Sequence, residues 1–328
     1  MVEVVRCVAV LGYEMACYHP ITAWRSKSLT NSGKRGIVFS ANEAQDARES
    51  LEIPCGQCIG CRLERSRQWA VRCVHEASLY QDNCFITLTF DDESLLARPN
   101  PYSLDVRDFQ LFMKKLRKKY GSKIRYFHCG EYGDQTSRPH YHACLFNFRP
   151  PDLVHIRNNS SGDPLYSSES LARIWGNGHV WIGELTFESA AYVARYVLKK
   201  VNGKQQQQIG ENGAKHYEWI HPETGELLER KPEYTTMSRR PGIAADWFKK
   251  YSSDLYPKDF VTMRGVKQRP AKFYDRKFEE MKPLEFEKIK AEREVLTYER
   301  VMNNTPERLG VRETLQKLRA KKLVRPDN

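Results

Sequence analysis

The stretch Cys129-Gly-Glu-Tyr-Gly-Asp-Gln-Thr-Ser-Arg-Pro-His-Tyr-His-Ala-Cys-Leu-Phe146 decides how the rest of the chain is read. Two apolar runs flank a polar, Gly-containing segment, which is the pattern of a β-hairpin. Residues 124–131 form one arm, 138–146 the other, and 133–137 the turn. Side chains alternate along a strand, so His140 and His142 share a face. A turn near Gln135 would set Glu131 roughly opposite Pro139, beside that pair. Two imidazoles and a carboxylate make a three-ligand site with positions left for water and substrate. Such a donor set suits Mg²⁺ or Mn²⁺ acting on phosphate, and Zn²⁺ also accepts it. An H-x-H pair alone is common in ordinary strands, so a second cluster has to support it.

That second cluster lies in Thr186-Phe-Glu-Ser-Ala-Ala-Tyr-Val-Ala-Arg-Tyr-Val-Leu-Lys-Lys-Val-Asn-Gly203. The periodicity predicts a helix, with Thr186 as its cap, Glu188 in its first turn and Asn202-Gly203 at its end. At about 100° per residue, Ala190, Val193, Ala194, Val197, Leu198 and Val201 fill one side. Tyr192, Tyr196 and Lys199 fall in a narrow stripe on the other. A tyrosine in an apolar helix is usually core, but this helix has a core face without them.

Hairpin and helix together resemble the HUH endonucleases, which initiate rolling-circle replication. Phe85-Ile-Thr-Leu-Thr-Phe90 looks like the family's first-motif strand, Pro139-His-Tyr-His142 like its His-hydrophobe-His motif, and Glu131 like its acidic third ligand. Tyr192-Val-Ala-Arg-Tyr-Val-Leu-Lys199 is similar to the tyrosine motif of the two-tyrosine initiators. Cys17-Tyr-His-Pro20, Pro54-Cys-Gly-Gln-Cys-Ile-Gly-Cys-Arg62 and Met237-Ser-Arg-Arg-Pro-Gly242 are similar to segments of replication initiators of the gokushovirus branch of the microviruses. The resemblance spans roughly residues 15–255.

It implies a ferredoxin-like antiparallel core and a transesterification at a DNA phosphodiester. In that scheme Tyr192 and Tyr196 are the nucleophiles and Lys199 orients the phosphate. Glu131, His140 and His142 hold the divalent ion. The implied partners are single-stranded or supercoiled origin DNA and the host's polymerase and helicase, in the cytoplasm of a bacterial host. A plasmid-type relaxase shares this chemistry but usually places its tyrosine ahead of the His motif. A metal hydrolase built on H-x-H would leave the tyrosine helix unexplained. The alternative from a different class is a zinc-containing single-strand binder without nuclease activity.

Composition agrees with a polyanionic partner. The 328 residues carry 53 Lys+Arg against 41 Asp+Glu, a formal net charge of +12, and a basic surplus of this size points to nucleic acid. Nine cysteines with no secretory leader read as reduced thiols rather than a disulfide framework. No apolar run reaches the roughly 20 residues that span a bilayer, so no membrane partner is expected. No Walker-type phosphate loop is visible.

Cys55-x₂-Cys58-x₂-Cys61 is a candidate structural metal site, zinc before iron–sulfur. Its fourth ligand is Cys17 by first choice, with Cys73 and His75 behind. The helix expected over 63–80 carries Arg62, Arg65, Arg67 and Arg72, read either as a solvated face or as phosphate contacts. An amphipathic helix is expected over 105–120, with Val106, Phe109, Phe112, Met113 and Leu116 as its apolar stripe.

The expected fold class is α+β, an antiparallel sheet with helices on one face. A Cys-rich N-terminal segment and a helical C-terminal extension complete it. The expected divisions are residues 1–80, an endonuclease core at 81–255 and a charged helical extension at 256–328. Residues 1–14 read as an optional extension.

Overall fold

The computed structural model describes residues 17–31, 33, 35–133, 136–159, 162–195, 207–209, 213–221, 224–298 and 301–321. Tyr196 and Lys199, named above as site residues, lie outside them, as do residues 1–14. The chain divides into two compact units. One contains the described residues up to Arg65, Val261–Arg269 and those from Glu279 onward. The other contains Ser66–Phe260 and Pro270–Phe278.

The first unit opens with strands β1 (Ile21–Leu29), β2 (Arg35–Val38) and β3 (Ser50–Ile53), in the order β2-β1-β3. Helix α1 (Ile59–Ala77) follows and runs across the division between the units.

The second unit then supplies β4 (Asn83–Thr89), α2 (Asp92–Leu96), α3 (Val106–Tyr120), β5 (Arg125–Tyr132) and β6 (Pro139–Phe146). Next come β7 (Leu153–Asn158), β8 (Pro164–Ser168), α4 (Glu169–Trp175), β9 (Val180–Gly183) and α5 (Phe187–Arg195). It ends with the pair β10 (Glu218–Ile220) and β11 (Leu227–Glu229), strand β12 (Tyr234–Met237) and helix α6 (Ala245–Leu255). Strands β13 (Val261–Met263) and β14 (Val266–Gln268) belong to the first unit again. Three helices close the described chain, α7 (Lys272–Met281), α8 (Pro283–Tyr298) and α9 (Pro306–Lys321).

Seven strands form one antiparallel sheet in the order β12-β5-β6-β4-β9-β8-β7. Within it, β4-α3-β5-β6-α4-β9 is the split βαβ pattern, with β5, β6, β4 and β9 adjacent in that order, so the expected ferredoxin-like core is present. Cys84, Ile86 and Leu88 of β4 and Tyr141, Ala143 and Leu145 of β6 turn to one face. There they pack on Phe109, Phe112, Met113 and Leu116 of α3 and on Leu171, Ile174 and Trp175 of α4. The expected helical layer on one face is therefore α3 and α4. Val106, expected in the apolar stripe of α3, is 36% exposed in its first turn.

Local signals set the element ends. Asp105 caps α3 by accepting from Arg107 N, and Ser168 caps α4 by accepting from Leu171 N. Arg117 closes the other end of α3, donating through Nε and Nη2 to Ile124 O. Strands β7, β8 and β12 carried no readable signal. β7 is mostly exposed and β12 half-buried throughout, so neither alternates between an apolar and a polar face. Within the stretch expected as a helical extension, Pro283 begins α8 and separates it from α7.

Candidate active site

The other face of the sheet carries the chemistry. Strands β5 and β6 pair with Glu131 opposite His140, Cys129 opposite His142 and Tyr132 opposite Pro139. The expected register, Glu131 opposite Pro139, is corrected by one residue. The consequence is favourable, because directly paired residues share a face. Glu131, His140 and His142 therefore point the same way, and their ligand atoms lie within 4.8 Å of one another. All three are almost fully buried.

A single carboxylate oxygen is the focus. Glu131 Oε1 lies 2.7 Å from His140 Nε2 and 2.9 Å from His142 Nε2. The Tyr192 hydroxyl donates to the same oxygen at 3.3 Å. Burial pushes the Glu131 carboxyl up, but the hydrogen bonds from His140 and His142 outweigh it and hold the group at about 2. Glu131 is thus an ionised carboxylate at neutral pH.

The neighbouring strand orients the imidazoles. In the β4–β6 pairing Thr87 stands opposite His142 and Thr89 opposite His140. Thr87 Oγ1 is 2.9 Å from His142 Nδ1, and Phe85 stacks on the His142 ring at 5.7 Å. His140 Nδ1 is 3.2 Å from Arg138 O, and a carbonyl only accepts. Nδ1 therefore carries a proton, which leaves Nε2 to donate to the carboxylate as an imidazolium or to offer its lone pair to a metal ion. Two imidazole nitrogens and one carboxylate oxygen are a donor set that borderline and hard divalent ions accept, so the residues fit a metal. Nδ1 contacts of this kind are the supporting shell that fixes ligand tautomers.

Helix α5 lies over this face. Thr186 and Ser189 cap it reciprocally, Ser189 N donating to Thr186 Oγ1 at 3.2 Å and Thr186 N to Ser189 Oγ at 2.8 Å. Ser66 of α1 steadies it further by donating to Ala191 O. Tyr192, expected on a presented stripe away from the core, is only 4% exposed. Its ring meets His142 edge-on at 5.1 Å and Phe85 at 6.4 Å. Tyr192, on the side of α5 left over by the apolar residues, faces Glu131 and His142.

The cysteines also gather. Cys17, Cys55, Cys58 and Cys61 place their sulfurs within 4.8 Å of one another. Of the alternative fourth ligands, Cys73 is buried in the core of the second unit and is hydrogen-bonded to Cys144. His75 is stacked on Trp247 at 3.6 Å, with Nδ1 2.8 Å from the Tyr274 hydroxyl.

Of the arginines on α1, Arg72 is committed internally. It lies between the Trp69 and Phe273 rings, at 4.0 and 3.9 Å, and donates twice to Ile243 O. Burial lowers it to about 10. This correction removes it from the candidate phosphate contacts. Arg239 and Arg240 are exposed on a turn that Arg125 anchors by donating to Pro241 O. Sequence reasoning had no signal for Thr87 as an orienter of His142, since that role appears only once β4 is laid beside β6.

Comparison with known proteins places the chain among replication-associated proteins. A family model described as replication-associated protein ORF2 matches residues 83–201, from β4 through the tyrosine segment. The chain is 33% identical over 269 residues to replication-associated protein VP4 of Bdellovibrio phage phiMH2K, covering 79% of this chain and 76% of that protein. It is 35% identical over 240 residues to replication-associated protein ORF2 of Spiroplasma virus 4, covering 69% and 68%. Replication-associated protein ORF4 of Chlamydia phage 1 is 34% identical over 159 residues, 46% of this chain and 39% of that protein. No solved structure matches. The chain belongs to the microvirus family of replication-associated proteins. Among the described residues, no helix is long and apolar enough to cross a membrane.

Proposed function

We infer that this protein initiates replication of a single-stranded DNA phage by cutting one strand at the origin through a tyrosine. The observation that carries the reading is the convergence of the Tyr192 hydroxyl, His140 Nε2 and His142 Nε2 on one oxygen of Glu131. A non-catalytic binder has no need for a phenol held against a carboxylate and two histidines.

Glu131, His140 and His142 would hold a divalent ion, Mg²⁺ or Mn²⁺. When bound, the ion supplies positive charge for the scissile phosphate and lowers the cost of ionising a nearby oxygen. Free tyrosine has a pKa of about 10 and is a weak nucleophile at neutral pH, so a phenol needs such a neighbour. Tyr192 attacks phosphorus and the bond to the 3′ oxygen breaks. A 5′-phosphotyrosine forms and a 3′-hydroxyl is released. That hydroxyl primes the host polymerase, with unwinding supplied by the host. The covalent bond keeps the energy of the linkage, so rejoining needs no nucleotide. Tyr196, four residues on in the sequence, serves the second cut that releases a closed circle. Lys199 steadies the phosphate. The net charge of +12 supports DNA as the partner.

The test is a denaturing gel of purified protein with labelled single-stranded origin DNA from its own phage, in Mn²⁺ and in EDTA. A metal-dependent covalent band that survives Tyr196→Phe and disappears in Tyr192→Phe supports the assignment of the first cut. Loss only in Tyr196→Phe reverses the two tyrosines. Binding with no adduct in any metal would leave a single-strand-binding protein in place of an enzyme.

A further inference from the structure

The four cysteines among the described residues of the first unit take no part in the proposed cutting reaction, yet they are assembled with as much care. We propose that Cys17, Cys55, Cys58 and Cys61 bind one zinc ion, and that this ion holds the N-terminal strands of the first unit together. The ion is structural and is separate from the divalent ion of the Glu-His-His site.

The spacing of the sulfurs is the first support. Zinc–sulfur bonds of about 2.3 Å in a tetrahedron put neighbouring sulfurs about 3.8 Å apart. Cys58 Sγ and Cys17 Sγ are 3.9 Å apart, and all four sulfurs fall within 4.8 Å. A cluster of four irons would hold its cysteines farther apart. Four sulfur donors also exclude Mg²⁺ and Ca²⁺, which take oxygen, and leave zinc or a single iron.

The backbone is the second support. Gln57 N and Cys58 N point to Cys55 Sγ at 3.4 and 3.3 Å, and Cys61 N points to Cys58 Sγ at 3.5 Å. Cys55 N points to Cys17 Sγ at 3.2 Å, and Tyr18 N to Cys58 Sγ at 3.3 Å. Gly56 makes the turn possible with φ +75°, a conformation that L side chains rarely adopt. N–H groups aimed at sulfur stabilise thiolates far more than thiols, since a thiol is a weak acceptor. A cluster of thiolates in turn requires a cation at its centre.

The third support is the poverty of the surrounding core. Among the described residues from Cys17 to Cys58, the buried side chains are Cys17, Ala23 and Ala44. Strand β1 is largely exposed, and β2 and β3 have no buried residue. A sheet with so little apolar burial does not stabilise itself. The cysteines stand where a staple works best. Ile21 pairs with Ile53, so Cys17 precedes one strand and Cys55 follows its partner, while Cys58 and Cys61 flank the start of α1. Binding energy for structural zinc in such sites is folding energy. Arg65 supports the knuckle from outside by donating to Gly56 O, which places a positive charge beside an anionic cluster.

The experiment uses the full chain, dialysed against metal-free buffer and analysed for bound metal. The expected content is about one zinc per chain. A mercurial reagent that titrates thiolates on the native protein should release that zinc, read with a chromogenic indicator, even if cysteine variants prove insoluble. Replacement with Co²⁺ should give the visible bands of tetrahedral thiolate coordination. His142→Ala should keep the zinc, and Cys58→Ser should lose it by about tenfold or more. Iron in place of zinc overturns the choice of metal. A folded, zinc-free chain with alkylatable or disulfide-bonded Cys17, Cys55, Cys58 and Cys61 overturns the site. Zinc lost in His142→Ala but kept in Cys58→Ser assigns the ion to the nuclease centre instead. Neither of the last two results would touch the cutting reaction, whose covalent band is read separately.

Discussion

Among the described residues, two groups of side chains could hold a metal ion, and they are built in opposite ways. Glu131, His140 and His142 stand on adjacent strands of a seven-stranded sheet whose far face is packed with aromatic and aliphatic side chains from α3 and α4. That sheet is held by its own core, and the ligands decorate it. Cys17, Cys55, Cys58 and Cys61 stand around three short, exposed strands, where hardly anything apolar is buried. In one case the fold makes the site. In the other, on the proposal made above, the site makes the fold. The donor chemistry matches the division of labour: nitrogen and oxygen ligands leave positions open for substrate, whereas four sulfurs close the coordination shell.

The contrast breaks if ligand removal has the same consequence in both places. His142→Ala should reduce nicking of origin DNA by about a thousandfold or more, since it removes charge stabilisation at the reacting phosphate. Its thermal melting should fall without loss of the fold, because the buried imidazole packs on Phe85 and Tyr192 while the opposite face of the sheet keeps its own core. Cys58→Ser should instead cost folding or solubility, with nicking retained in whatever protein folds. Melting curves and single-turnover nicking on the same preparations decide it. A His142→Ala protein that unfolds, or a Cys58→Ser protein as stable as the parent, would erase the distinction.

The two sites differ as much in how they can be read from sequence. The hairpin was legible because its arms alternate, its turn is rich in Gly, Ser and polar residues, and its histidines are two apart. Only the register was off by one, since the turn residues fix the length of the loop but not which pair closes it. The helix over Tyr192 was legible from its period, but its orientation was not. The apolar stripe of Ala190, Val193 and Ala194 seemed to claim the interior, and burial of Tyr192 follows from a second surface below the helix that sequence does not display. Three cysteines of the cluster were legible from their spacing, and the fourth, Cys17, was a first choice over Cys73 and His75. The fourth lies 38 residues before Cys55, and only the pairing of β1 with β3 brings it near. Thr87 and Arg138 act through partners 55 and two residues away, so the first had no local signature at all.

A second way to sharpen the contrast is to separate acid effects on the ligands from acid effects on the fold. His75 belongs to the second unit but is not a ligand. It is packed on Trp247 and beside Tyr274, and burial lowers it from 6.5 to about 4. The folded state therefore binds a proton at this site less readily than the unfolded state. The sign is fixed by that difference. Stability is unaffected above the unfolded value near 6.5 and declines as the pH falls from there toward 4, by about 3 kcal/mol in all. Urea midpoints at pH 7 and about pH 4.5 should drop less in His75→Phe than in the parent. Equal drops would mean that His75 titrates normally and that acid acts elsewhere.

The smallest effect tests how finely the sheet prepares the ligands. Thr87 Oγ1 holds His142 Nδ1 at 2.9 Å across the β4–β6 pair, and Thr87 itself is buried. Thr87→Val keeps the shape and the strand preference of the side chain and removes only the hydroxyl. The imidazole then loses the partner that fixes its ring and tautomer. Loss of such a supporting contact typically costs about 10- to 100-fold in metal affinity. The concentration of Mn²⁺ giving half-maximal nicking should therefore rise by about that factor, while the rate at saturating Mn²⁺ and the melting temperature change little. A lower rate at saturation with an unchanged Mn²⁺ requirement would place Thr87 in contact with the DNA instead. No change in either would mean that Phe85, stacked on the same ring, orients His142 without help.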